Sequence, residues 1–174
     1  MGPSLIAMTE PITDRILNRI AHAAELYYRL ILVVGVSNAG KTKALQGLQV
    51  QISAPLINVN LELSRRLLDL SERQRNLQVP HMLEDILLES QSDIVLLDNL
   101  ELLFDPALRQ DPLRLLQGLS RKHTIIAAWN GDVKDDTLFY AESSHPEYRH
   151  YPLHDLIIEK VESEKLADYK IRKK

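Results

Sequence analysis

Eight residues, Gly35-Val36-Ser37-Asn38-Ala39-Gly40-Lys41-Thr42, restrict this chain more than any other stretch. They follow Leu30 to Val34 (LILVV), an unbroken apolar run that reads as a strand buried on both faces. They lead into Lys41 to Gln51, where Ala44, Leu45 and Leu48 fall at helical spacing. Strand, glycine-bearing loop and helix therefore come in that order. Glycines in such a loop let the main chain approach an anion closely and take unusual dihedrals. The helix start turns N–H groups and the positive end of its dipole towards the same anion. The stretch fits G-x-x-x-x-G-K-[ST], in which the lysine reaches the outer phosphates of a nucleotide and the next hydroxyl ligates Mg²⁺. The expectation is a phosphate cradle made by Gly35, Val36, Ser37, Asn38, Ala39, Gly40, Lys41 and Thr42, with Thr42 also a metal ligand. The bland alternative is a glycine-rich strand-to-helix turn with a chance lysine.

The rest of the chain supplies the same kind of unit. Pro11 to about Tyr28 reads as a helix, with Ile12, Ile16 and Ile20 one turn apart. Pro55 to Asn60, Asp93 to Asp98 and Thr124 to Trp129 read as further strands. Leu61 to Leu77 is helical with a break at Ser71, whose partner Gln74 fits a capping box, and another helix is expected to start near Pro80. Asp105-Pro106 and Asp111-Pro112 are cap-then-proline starts. After Asn130-Gly131, which by itself reads as a turn, strands are expected at Thr137 to Glu142 and Arg149 to Ile158, joined by a turn at His145-Pro146. Alternating strands and helices imply βαβ units and a mainly parallel sheet. The fold class expected is a three-layer α/β/α P-loop NTPase core. Its divisions are a flexible leader at 1–10, the domain at 11–160 and a charged tail at 161–174.

A cradle of this kind needs a second metal contact from the end of a neighbouring strand. Ile94 to Leu97 followed by Asp98 provides it, the alternative being a strand-end Asp that caps the next turn. The residue after Asp98 is Asn99, which can orient water but cannot take its proton. Glu101, two residues on, and Glu62, just past the second strand, are the candidate substitutes, each also readable as a solvated charge. Asn130 ends the fourth strand, where a polar side chain can face a terminal phosphate if that strand lies between the cradle strand and the metal strand. Arg149, and after it Arg121, are candidates for an arginine offered to a neighbour's nucleotide, or plain surface arginines.

Composition narrows the classes. Of 174 residues, 45% are apolar and 26% charged, which is globular rather than disordered. A net charge of -3 argues against a whole-chain electrostatic DNA binder. The absence of cysteine removes disulfides, thiolate metal sites and cysteine nucleophiles. Leu30 to Val34 is too short to span a bilayer, and no charged segment followed by an apolar core opens the sequence. A cytoplasmic protein without a membrane contact is expected. His145, His150 and His154 lack the partners of a zinc site. Arg65, Arg66, Arg73 and Arg75 are interrupted by Asp69 and Glu72 and read as a solvated helix face. The basic end, Lys170 to Lys174, gives weak support for DNA contact.

The order of cradle, acid-tipped strand and polar-tipped strand resembles the additional-strand (ASCE) division of P-loop ATPases, which includes AAA+ proteins. The chain departs from AAA+ at Asn99, where that family has Glu, and too little sequence follows the core for a helical lid. At a finer level it resembles the BrxF family, small P-loop proteins of type III bacteriophage-exclusion (BREX) defence systems. The likeness is carried by GVSNAGKT at 35–42, LINVNLELS at 56–64, VLLDNLELLFDP at 95–106, DPLRLLQGLSRKHTIIAAWNG at 111–131 and HPEYRHY at 145–151. The resemblance implies a prokaryotic cytoplasmic protein working with other BREX components, including a large ATPase and a DNA methyltransferase. The function expected is an ATP- and Mg²⁺-binding protein, slow in hydrolysis alone, that acts as a nucleotide-dependent switch or assembly factor. Self-assembly is one way to supply an arginine. Two alternatives stand beside it: a small-molecule or nucleotide kinase on the same cradle, and a scaffold that does not hydrolyse nucleotide.

Overall fold

The structure, a computed structural model, describes residues 10–162 and Arg172. Helix α1 (Ile12–Ala23) leads into β1 (Leu30–Gly35) and α2 (Lys41–Ile52). Next come β2 (Leu56–Asn58), α3 (Val59–Leu67), α4 (Glu72–Glu89) and β3 (Ile94–Asp98). Two 3₁₀ turns, Glu101–Phe104 and Pro106–Leu108, precede α5 (Pro112–Leu119). The chain then forms β4 (Thr124–Lys134), β5 (Thr137–Tyr140), β6 (Arg149–Pro152) and β7 (Ile157–Lys160). These strands make one seven-stranded, mostly parallel sheet. Its parallel part runs β2-β3-β4-β1-β7, so β4 lies between β1 and β3.

The alternation of side chains along the strands builds two cores. Leu30, Leu32, Val34, Val95, Leu97, Ile125 and Ala127 face α3, α4 and α5. Ile31, Val33, Leu96, Ile126 and Ala128 face α1 and α2. Both faces are thus covered, which is why β1 is buried from end to end. Each such Leu or Ile contributes about 1.5–3 kcal/mol of burial. On the second face, Glu159 of β7 is tied to α1 by Arg15 at 3.2 Å and Arg19 at 3.0 Å.

Four expectations about the elements need correction. The first helix ends at Ala23 rather than near Tyr28, and turns bonded through Glu25 N–H to His22 O and Leu26 N–H to Ala23 O follow it. No helix begins at Pro80, because α4 runs through it for 18 residues from a complete Ser71–Gln74 capping box. Proline has no N–H to give the Asn76 carbonyl one turn back. Gln110 Nε2 donates to that carbonyl at 2.8 Å and satisfies it from outside the helix. The fourth strand does not end at Asn130-Gly131. The strand continues through it and pairs antiparallel with β5, Gly131 opposite Tyr140. Any Cβ on Gly131 would collide with the Phe139 carbonyl, so glycine here permits a close strand crossing. The reversal comes at Asp135 and Asp136, both with positive φ.

The expected strand from Arg149 to Ile158 is two strands, β6 and β7, with Asp155 at positive φ between them. The turn at His145-Pro146 forms, closed by His145 N–H to Glu142 O and Tyr148 N–H to His145 O. Both Asp-Pro starts are capped as expected, Asp105 accepting from Ala107 N–H and Asp111 from Arg114 N–H. The leader before residue 10 and nearly all of the charged tail lie outside the described residues.

Candidate functional site

The cradle residues lie where β1 leaves the sheet at its carboxyl edge and α2 begins. Val36, Ser37 and Asn38 are exposed, and Ala39 N–H donates to Val36 O at 3.1 Å. Gly40, the residue before the helix, takes φ +102°, a conformation that needs glycine. Asn38 shares the left-handed region at φ 62°. Gly35 serves differently from what its sequence context suggests. It has no positive φ, and what it provides is room: a Cβ there would lie 2.9 Å from Val161 O of the chain just past β7.

Lys41, the first residue of α2, is buried at 7% exposure. Its Nζ donates to Gly35 O at 2.8 Å and Val36 O at 2.6 Å. Burial pulls its pKa below the ordinary lysine value, and the charges of Asp98 and Glu101 act against that fall. An ammonium has three donors, so these two bonds leave one available. Thr42 Oγ1 donates to Asp98 Oδ2 at 2.6 Å, bringing together the hydroxyl and carboxylate expected to share a metal. Asp98 Oδ1 accepts from Asn99 N–H at 2.9 Å. Among the described residues no group of three or more His, Cys, Asp or Glu side chains could hold an ion. One hydroxyl and one carboxylate nevertheless suit Mg²⁺, which keeps several waters and takes further oxygens from phosphate.

Asn99 is in the left-handed region at φ 55°, which asparagine tolerates better than glutamate does. The chain then turns through the first 3₁₀ segment and brings Glu101 back to the strand edge. Glu101 Oε1 accepts from Asn130 Nδ2 at 2.7 Å, and Oε2 accepts from Asn60 Nδ2 at 2.8 Å. Asn60 is held at two further groups: its N–H donates to Asn99 O at 2.9 Å and its Oδ1 accepts from Leu102 N–H at 2.8 Å. A side chain from just past β2 and one from within β4 therefore meet on one carboxylate just past β3.

The other candidates are placed elsewhere. Glu62 lies on α3 beside Arg65 at 3.9 Å and Arg66 at 4.0 Å, and is not brought to this cluster. Arg149 is half-buried in β6, opposite Tyr140, with Nη1 donating to Tyr148 O at 3.2 Å. Arg121 precedes β4 at the opposite edge of the sheet, with its guanidinium 4.8 Å from the centre of the Tyr27 ring. Of the histidines, His145 Nδ1 accepts from Glu147 N–H within its own turn. Arg66 pairs with Glu89 at 2.7 Å, tying α3 to α4. Asn60 was not singled out from sequence as a site residue. The available signal was a polar residue just past the exit of β2, next to the acid-tipped strand.

A groove of about 890 Å³ opens beside the cradle, bounded by Val36, Ser37, Glu101 and Asn130 on one side and by Phe139 and Tyr148 of the β5–β6 region on the other. No helix among the described residues is long and apolar enough to cross a membrane. Neither a protein-family model nor a curated protein matches this chain.

Proposed function

We propose that the chain binds ATP with Mg²⁺ at residues 35–42 and hydrolyses it slowly. The observation that carries this reading is the 2.6 Å contact between Thr42 and Asp98 at the mouth of a glycine-bearing loop, with the buried Lys41 beside it. The main-chain N–H groups of the loop and the start of α2 would hold the phosphates. Lys41 would give its remaining donor to the outer phosphates. Thr42 and Asp98 would hold the ion, which supplies charge neutralisation on the β and γ oxygens. The position of β4 between β1 and β3 supports the additional-strand arrangement, and it puts Asn130 opposite Gly35, where it can face a terminal phosphate.

The setting proposed is a nucleotide-dependent switch or assembly factor in a prokaryotic cytoplasmic BREX defence system, with the large ATPase and the methyltransferase as partners. That setting rests on the sequence resemblance. Thermal unfolding tests the binding: a ligand specific to the native state raises Tm in proportion to the logarithm of its concentration over Kd. ATP with Mg²⁺ should raise Tm for the native chain and, at the same concentration, raise it less for Lys41→Ala. An equal rise in both would remove the cradle from the reading. Phage plating on cells carrying Lys41→Ala in the whole system tests the setting, and full protection would contradict it.

A second reading draws on the groove beside Ser37 and Asn130, whose size admits a small acceptor. A kinase would then transfer phosphate there instead of to water. Product analysis with ATP and candidate acceptors separates the two.

A further inference from the structure

We propose that Glu101 is the carboxylate that activates the attacking water, displaced from the position next to Asp98, and that Asn60 and Asn130 hold it in place. This rests on the nucleotide-binding reading above. Both oxygens of Glu101 are engaged, Oε1 by Asn130 at 2.7 Å and Oε2 by Asn60 at 2.8 Å. A carboxylate oxygen has two acceptor sites, so each keeps one for a water. Glu101 lines the groove together with Val36 and Ser37 of the cradle.

The competing acids are spoken for. Asp98 is assigned with Thr42 to the ion in the reading above, and Glu62 sits among its own helix arginines. Asn99 has no basic group to offer. Its left-handed backbone is instead the bend after which the 3₁₀ turn returns Glu101 to the edge. Asn60 is the positioning residue, because its other polar groups are tied to Asn99 and Leu102 on the same β3 exit. Any drift of β2 relative to β3 therefore moves Glu101.

The step balances as follows. The water oxygen forms a bond to the γ phosphorus, and the bond from that phosphorus to the bridging oxygen breaks. The bridging oxygen leaves with the electron pair on the nucleoside diphosphate. The water proton passes to Glu101 and then to solvent, and the second product is inorganic phosphate. Asn130 Nδ2 carries two N–H donors: one holds Glu101 Oε1, and the other is left for a terminal phosphate.

The test measures ATP affinity and phosphate release in the full chain. Glu101→Gln should bind Mg²⁺ and ATP near the native affinity and lose about a hundredfold or more in turnover, the scale of a lost general base. Asn60→Ala should lower kcat with KM little changed. Asn60→Asp, which sets a like charge against Glu101, should lower kcat further in the native background and have no further effect in Glu101→Gln. Native-like turnover in Glu101→Gln overturns the proposal. If that variant fails to fold or to bind, Asn60→Ala decides, and an unchanged kcat there overturns it. ATP binding by the native chain with no turnover above Lys41→Ala also overturns it, while leaving nucleotide binding intact. No binding at all removes the reading on which it stands.

Discussion

The two edges of the parallel sheet are built from the same strands and closed in opposite ways. At the amino edge the closure is main chain: Arg29 N–H to Ser120 O at 3.1 Å, Ile125 N–H to Arg29 O at 2.8 Å and Thr124 N–H to Asp93 O at 2.7 Å. Side chains there serve nearby carbonyls, as Ser92 Oγ does for Ile94 O and His123 Nδ1 in its contact with Ser92 O. At the carboxyl edge side chains bond to each other across strands, Thr42 to Asp98 and both Asn60 and Asn130 to Glu101. The first arrangement finishes a fold. The second places charged and amide groups at partly buried positions, where each contact is stronger than in water and where a lost partner is expensive. A parallel sheet gathers such groups at its carboxyl end because loops there lead outward from buried strands.

Variants can break that contrast, beginning with the largest effect. Trp129 stands where β4 passes from the parallel sheet into the hairpin. It packs edge-on against Phe104, Tyr140 and Tyr151, and its Nε1 donates to Phe139 O at 3.0 Å. Trp129→Ala should cost about 3–5 kcal/mol in urea unfolding. A loss below 1 kcal/mol, about the size of an average substitution, would show that the hairpin is not anchored through this ring.

Lys41→Ala removes a charge-assisted contact of about 1.5–3 kcal/mol, so ATP affinity should fall about ten- to a hundredfold. Isothermal competition against a fluorescent nucleotide would read this directly. Arg121→Ala, at the amino edge, should change stability by less than about 1 kcal/mol, the scale of an exposed cation–π contact, and leave ATP affinity alone. A drop in affinity there would mean that the two edges communicate. Glu62→Gln should leave turnover unchanged, because its weak ion pairs face its own helix.

What could be read in advance follows from how local each signal is. The stretch proposed to hold phosphate is contiguous, and the strand and helix expected on either side of it form as β1 and α2 because their signals are local. Asp98 follows from an apolar run that ends in an acid. The helix through Pro80 was hidden because the group that satisfies Asn76 O belongs to Gln110, far along the chain. The extension of β4 past Asn130 is hidden because it depends on long-range pairing with β5. The meeting of Asn60 with Glu101 depended on the register of β2 against β3, Asn58 opposite Asp98, and on the left-handed bend at Asn99. Neither is visible in composition or spacing.

Calorimetric titration of the native chain and of Asp98→Ala with ATP, with and without Mg²⁺, reaches the centre of the account. It predicts saturable heat for the native chain that is strengthened by Mg²⁺, and loss of that Mg²⁺ effect in Asp98→Ala. No heat from the native chain, or an equal Mg²⁺ effect in both proteins, would contradict it.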